Sequence, residues 1–328
     1  MQDVIIIGAG PCGLSAAIEC QRRGLHVLVL EKHCLVHSIY SYPTHMQFFS
    51  TPELLEIGDI PFSTPNEKPF RHEALAYYRG VSRHYDLQIA SYEEATAIHR
   101  QEDGSFIVHS VTRSGEKWEY PARNVIISTG YFDHPNMLGI PGEEMDKVSH
   151  YFREAHPYAG TKVAIIGGSN SAVDAALELL RVDAEVTIVY RRDSISEQIK
   201  PWVRPIFESM VNRGRISLRL SSRVIDIGQD HVIIESELGR EKILNDFVLA
   251  LTGFHPDRKL LLEAGVEMSG DMEKPVFHPE TMESNVPGLY VAGVIASGSN
   301  ANEVFIETGR KHGVLIADHI IASRAGEA

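Results

Sequence analysis

The chain has 328 residues, 43% hydrophobic and 23% charged, enough apolar material to bury a sizeable core and too much for a disordered chain. Its 44 Asp and Glu against 31 Lys and Arg give a formal charge of -13, which repels nucleic acid and anionic membranes over most of the surface, so neither is expected as a partner. The apolar opening Val4 to Ile7 is too short for a signal peptide, no run is long enough to span a membrane, and Cys12, Cys20 and Cys34 form no CxxC, so a cytoplasmic protein without a disulfide framework or zinc site is expected.

In chain order, Val4-Ile5-Ile6-Ile7 is a β-branched run of buried-strand type. It leads into Gly8-Ala9-Gly10-Pro11-Cys12-Gly13 and a helical stretch from Leu14 to Arg23 that stops at Gly24. His26 to Leu30 is the next strand and ends at Glu31, which completes a βαβ unit and predicts a parallel sheet. Val125 to Gly130 reads as a strand ending in a tight turn, and Gly139-Ile140-Pro141-Gly142 as a linker. The βαβ pattern returns with the strand Lys162 to Ile166, the turn Gly167-Gly168-Ser169-Asn170-Ser171-Ala172, a helix through Leu180 and the strand Glu185 to Tyr190. Phe247 to Gly253 and Gly288 to Gly293 are later strands, and a final helix is expected from Asn302 to Ser323 after the loop Ser297 to Asn300. The late strands fit the first domain better than the second. The expected fold is therefore α/β, with two Rossmann-like dinucleotide-binding domains, the second inserted into the first: 1–140 and 248–328 form the first, discontinuous domain and 141–247 the second.

Each fingerprint carries its own ribose preference. In the first, Gly8 permits the tight turn, Gly10 lets the backbone approach a pyrophosphate at the helix N-terminus, and Gly13 lets helix and strand pack closely. Glu31 can accept both hydroxyls of an adenosine ribose and would repel a 2′-phosphate, so this site holds an ADP group as found in FAD or NAD. In the second, Ser169 replaces the middle glycine and Ala172 the last, with Gly167, Asn170 and Ser171 completing the turn. No acid ends the following strand; Arg191 and Arg192 stand there instead, and guanidinium groups grip a 2′-phosphate bidentately, which favours NADPH. The other reading of the pair is two solvated surface arginines. Two sites of opposite preference make sense if electrons pass from NADPH to a bound flavin. The His residues lack metal-site spacing, and no nucleophile elbow points to acyl transfer.

The double fingerprint, with Ser128-Thr129-Gly130, Leu251-Thr252-Gly253 and Tyr290-Val291-Ala292-Gly293, resembles the thioredoxin reductase-like flavoproteins over nearly the whole chain. Two features depart from that group. Val294 stands where an aspartate usually binds the ribityl chain, and Ser149 to Glu154 holds no CxxC before the second fingerprint. Gly10 to Gly13, Pro43 to Thr51, Ile199 to Val203 and Ala292 to Gly298 together resemble the bacillithiol disulfide reductase family. That resemblance implies an oligomeric FAD enzyme that uses NADPH to reduce the disulfide of a low-molecular-weight thiol, with Cys12 redox-active. The FAD contacts so expected are Gly8, Gly10, Pro11, Cys12, Gly13, Glu31, Lys32, Gln47, Thr129, Gly130, Gly293 and Val294. Those for NADPH are Gly167, Ser169, Asn170, Ser171, Ala172, Arg191 and Arg192.

Cys12 has two readings. At a helix N-terminus the dipole stabilises a thiolate, which favours attack on a disulfide; alternatively the crowded loop only needs a small side chain. Cys20 and Cys34 read as packing or incidental thiols. Two other enzyme classes share the architecture: a flavin-dependent monooxygenase, faintly suggested by Phe152 and His156, and a ferredoxin or flavodoxin NADP reductase, which needs no thiol.

Overall fold

The computed structural model describes residues 1–300 and 303–327, in two compact units. The first comprises 1–134 and 254–328, and the second, 135–253, interrupts it in sequence.

The first unit opens with β1 (Gln2–Ile7), α1 (Pro11–Arg22) and β2 (Val27–Glu31), followed by three helices, α2 (His37–Ser41), α3 (Pro52–Leu55) and α4 (Arg71–His84). Then come β3 (Ile89–Ser91), β4 (Glu93–Arg100), β5 (Phe106–Thr112) and β6 (Lys117–Ile127). β1 lies between β2 and β6, parallel to both, so its C-terminal end is a topological switch point where a crevice opens. The long β6 serves two partners. Its first half pairs antiparallel with β5, and its second half, Val125-Ile126-Ile127, is fully buried beside β1.

In the second unit, β7 (Val148–Ser149), β8 (Lys162–Ile166), α5 (Asn170–Leu180), β9 (Glu185–Val189), α6 (Arg204–Asn212) and β10 (Ile216–Arg219) precede an antiparallel trio. The trio is β11 (Arg223–Ile227), β12 (His231–Ser236) and β13 (Gly239–Leu244), and β14 (Phe247–Ala250) follows. The parallel sheet runs β10-β9-β8-β14-β7, with β8 at the switch point. The sequence reading placed the Phe247 strand in the first domain; β14 instead pairs with β8 in the second sheet, Val248 opposite Ala164 and Leu249 opposite Ile165. Its apolar residues Val248, Leu249 and Ala250 fill the space that a parallel sheet buries on both faces, and this moves the return to the first unit to residue 254.

The chain re-enters the first unit through α7 (Lys259–Glu263), β15 (Met268–Ser269), β16 (Lys274–Pro275) and β17 (Leu289–Val291), the last adding to β6 as a seventh strand. The expected final helix is two helices, α8 (Ile306–Gly309) and α9 (His312–Glu327), separated at Arg310 and Lys311; its expected start at Asn302 lies outside the described residues. Gly313 lets α9 lie against α1 so closely that a Cβ there would sit 2.6 Å from the Ala16 Cα. Among the described residues no helix is long and apolar enough to cross a membrane.

Candidate functional site

In the first unit the fingerprint turn sits at the end of β1. Gly8 has φ +106°, and a Cβ on it would meet the Ser128 carbonyl oxygen at 2.4 Å; one on Gly13 would meet the Gly8 carbonyl oxygen at 2.0 Å. Gly10 differs: a Cβ there meets nothing within 4 Å, so its smallness serves the open side of the loop rather than packing. It is the N-cap of α1, no side chain caps the helix, and Pro11 begins it, which leaves first-turn amides for an anion.

Glu31 is buried at the end of β2. One carboxylate oxygen accepts the Ala9 N–H and the other the His33 N–H, each at 2.8 Å, so it ties the strand end to the fingerprint. Burial holds its pKa above the usual carboxylate range, against the pull of those two bonds. Each oxygen keeps a lone pair for a ribose hydroxyl. Two neighbours on the expected contact list are turned elsewhere: Lys32 forms an ion pair with Glu94 at 3.1 Å, and the Gln47 side chain donates to the Lys68 carbonyl at 2.9 Å. Thr129 and Gly130 follow β6, with Thr129 exposed.

Cys12 is wedged between two glycines that are far apart in sequence. A Cβ on Gly309 would sit 2.7 Å from its Sγ, and one on Gly293 3.1 Å from it. Desolvation overrides the expected helix-dipole effect here. With no opposing charge beside it, burial pushes the Cys12 thiol up to about 12, so it is protonated at neutral pH. Cys20 is buried and Cys34 lies 3.5 Å from His37 Nδ1; all three thiols are free.

Sequence reasoning missed Gly309 and His312, because only the tertiary fold brings Gly309 to Cys12 and His312 to Gly293. His312 Nδ1 accepts the Gly293 N–H at 3.2 Å, and burial lowers its pKa from 6.5 to about 4. As pH falls, the unfolded chain takes up this proton first; the stabilisation is complete above about pH 6.5 and is lost as pH falls toward 4. We expect roughly 2 to 3 kcal/mol of stability to disappear over that interval. Denaturant unfolding at stepped pH checks this: His312→Gln, whose side-chain oxygen still accepts from Gly293 and does not titrate, should flatten the slope, and an unchanged slope would assign it to other groups.

In the second unit, a Cβ on Gly167 would meet the Leu251 carbonyl oxygen at 2.5 Å, and the Tyr190 ring covers Gly168. Ser169 is the exposed N-cap of α5, Ser171 is exposed and Ala172 is fully buried. The Asn170 side chain is committed to protein, donating to the Gln198 carbonyl at 2.8 Å and accepting the Lys200 N–H at 3.0 Å, so only its backbone is left for a phosphate. Arg191 and Arg192 are both exposed and form no ion pair among the described residues. They stand just past β9, which ends at Val189. Among the described residues no cluster is suited to a metal ion.

The pyridine nucleotide-disulphide oxidoreductase family matches residues 5–293. The chain is 47% identical over 322 residues, 97% of each protein, to the bacilliredoxin reductase Bdr of Bacillus subtilis (strain 168). Among solved structures it resembles the bacillithiol disulfide reductase Bdr (YpdA) from Bacillus cereus, with TM-score 0.96 and 46% identity over 98% of this chain and 99% of that one. For the Staphylococcus aureus protein of the same name the TM-score is 0.94 and the identity 43%, over 99% of this chain and 100% of that one.

Proposed function

Because the chain belongs to the pyridine nucleotide-disulphide oxidoreductase family, in the branch of the bacillithiol disulfide reductases, we propose that it carries electrons from NADPH, through FAD, to a low-molecular-weight disulfide, bacillithiol disulfide foremost. It is an enzyme of that oxidoreductase class. The first unit fits FAD: the uncapped start of α1 and the open face of Gly10 suit a pyrophosphate, and Glu31 suits an unphosphorylated ribose. Bound there, FAD supplies a two-electron carrier between nicotinamide and disulfide. The second unit offers a fingerprint for a pyrophosphate and two exposed guanidinium groups for a 2′-phosphate.

The observation that carries the disulfide reading is the seat of Cys12, a thiol in the first turn of the helix that would face the flavin nucleotide, held between Gly293 and Gly309. With no second cysteine paired to it, one thiol must do the work. The same reading makes the protein a cytoplasmic homo-oligomer whose partners are small thiol disulfides rather than nucleic acid or membrane.

A steady-state anaerobic assay tests the proposal: two free thiols should form for each NADPH oxidised in the presence of bacillithiol disulfide, and NADPH consumption without thiol formation would refute it. Nucleotide choice is tested separately. Replacing Arg191 and Arg192 by Ala should raise KM for NADPH by about 10- to 100-fold and leave NADH use within about twofold. Equal losses with both nucleotides would remove the arginines from 2′-phosphate recognition.

A further inference from the structure

The two glycine walls of the Cys12 seat differ in how they are supported. Gly293 lies just past β17, a strand of the first sheet, whereas Gly309 ends α8, a helix of four residues. The Gly309 wall is the tighter: a Cβ on it would meet Cys12 Sγ at 2.7 Å, the Gly293 Cα at 3.1 Å and Val304 Cγ1 at 3.2 Å. The placing of α8 therefore decides how closely the Cys12 sulfur is held.

A single helical turn does not hold its own place in water, so α8 depends on contacts from elsewhere in the first unit. Within the turn, Glu307 accepts a hydrogen bond from the hydroxyl of Ser50, a buried residue of the Pro43–Thr51 segment just ahead of α3. Past its end, the Arg310 guanidinium donates to the Glu56 carbonyl, and the Arg310 carbonyl accepts the Ser15 hydroxyl of α1 at 2.6 Å. The Arg310 contacts fix where the chain leaves α8. The Ser50–Glu307 bond fixes the turn that carries Gly309. Burial alone raises the Cys12 thiol, so Glu307 reaches it through position and not through charge.

We propose that Glu307 is a positioning residue for the disulfide step: by accepting the Ser50 hydroxyl it holds Gly309 against Cys12 Sγ and fixes the direction from which the thiol meets a disulfide. The proposal rests on the reading of Cys12 as the attacking thiol. In that step Cys12 Sγ bonds to one substrate sulfur, the substrate S–S bond breaks, and its electron pair leaves on the other sulfur, which ends with the proton that the Cys12 thiol gives up. The products are a Cys12 mixed disulfide and one free thiol. Such a displacement needs the entering, attacked and leaving sulfurs close to one line, and a thiol with room to swing spends most of its time off it. Glycine at 309 supplies the closeness, and the charge-assisted bond from Ser50 to Glu307 supplies the fixity.

The experiment compares the parent, Ser50→Ala, Glu307→Ala, Glu307→Gln and the Ser50→Ala/Glu307→Ala double variant, all FAD-loaded, in two assays. One is anaerobic stopped-flow reoxidation of the NADPH-reduced protein by saturating bacillithiol disulfide. The other is labelling of the oxidised protein with N-ethylmaleimide, each cysteine followed by mass spectrometry. Ser50→Ala and Glu307→Ala should each slow reoxidation about 10- to 100-fold and speed Cys12 labelling about fivefold or more, because a freed sulfur is worse aimed and easier to reach. Cys20, fully buried in α1, reports general loosening and should label within about twofold of the parent. The double variant should match the single ones, since each removes the same bond. Glu307→Gln, whose amide oxygen still accepts from Ser50, should stay within about threefold of the parent in both assays. Parent values for Ser50→Ala and Glu307→Ala, additive losses in the double variant, or Cys20 labelling that rises in parallel with Cys12 would overturn the positioning role. A loss in Glu307→Gln as large as in Glu307→Ala would overturn it too, by assigning the effect to charge. Parent reoxidation from Cys12→Ser would instead overturn the attacking-thiol reading, and the labelling assay, which needs no turnover, separates the two failures.

Discussion

Cys12→Ser is expected to leave FAD content and flavin reduction by NADPH within about twofold of the parent, and to slow reoxidation by bacillithiol disulfide by about 10³-fold or more. The asymmetry follows from the site. Serine is no larger than cysteine, so the space left by Gly293 and Gly309 admits it and the fingerprint keeps its shape. A hydroxyl is a far weaker nucleophile than a thiol and cannot form a mixed disulfide, so only the disulfide half-reaction is lost. Cys12→Ala separates packing from chemistry. It should reoxidise as slowly as the serine variant, whereas parent-like rates from both would make Cys12 a packing residue and leave direct hydride attack on the disulfide.

The two fingerprint glycines should fail in different ways. Gly13→Ala puts a Cβ 2.0 Å from the Gly8 carbonyl oxygen, a backbone atom that cannot step aside without parting helix from strand. The cost should be about 3 kcal/mol or more, read as a fall in Tm of roughly 5 to 10 °C in the apoprotein together with loss of FAD. Gly10→Ala meets no atom within 4 Å, so apoprotein Tm should hold while FAD affinity falls. Thermal melts with and without added FAD distinguish the two, and equal destabilisation by both would mean that the open face of Gly10 has no ligand role.

How far these roles are legible in the sequence depends on how local their causes are. β1, α1 and β2, with Glu31 at the strand end, follow from a β-branched run, a glycine turn and an apolar helix that are contiguous in the chain. Arg191 and Arg192 follow from β9 in the same way. The strand Phe247–Ala250 does not disclose its sheet, because a fully buried apolar run looks alike in either, and only its pairing with β8 decides. Lys32, Gln47 and Asn170 have the right positions, but their side chains are claimed by Glu94, Lys68 and the 198–200 segment, partners that local spacing does not disclose. The surroundings of Cys12 are the extreme case. Gly309 reaches it from α8 and Gly293 from just past β17, and the burial that results pushes its thiol up, against the dipole-based expectation.

The most direct test of disulfide reduction as the reaction is a competition among electron acceptors. NADPH-reduced parent protein, with FAD bound and oxygen removed, is mixed in parallel in a stopped-flow cell with bacillithiol disulfide, with oxygenated buffer and with oxidised ferredoxin. The return of oxidised-flavin absorbance is followed in each. The account predicts that the disulfide restores it fastest and that two thiols appear per flavin; rapid reoxidation by ferredoxin or oxygen, with the disulfide inert, would contradict it.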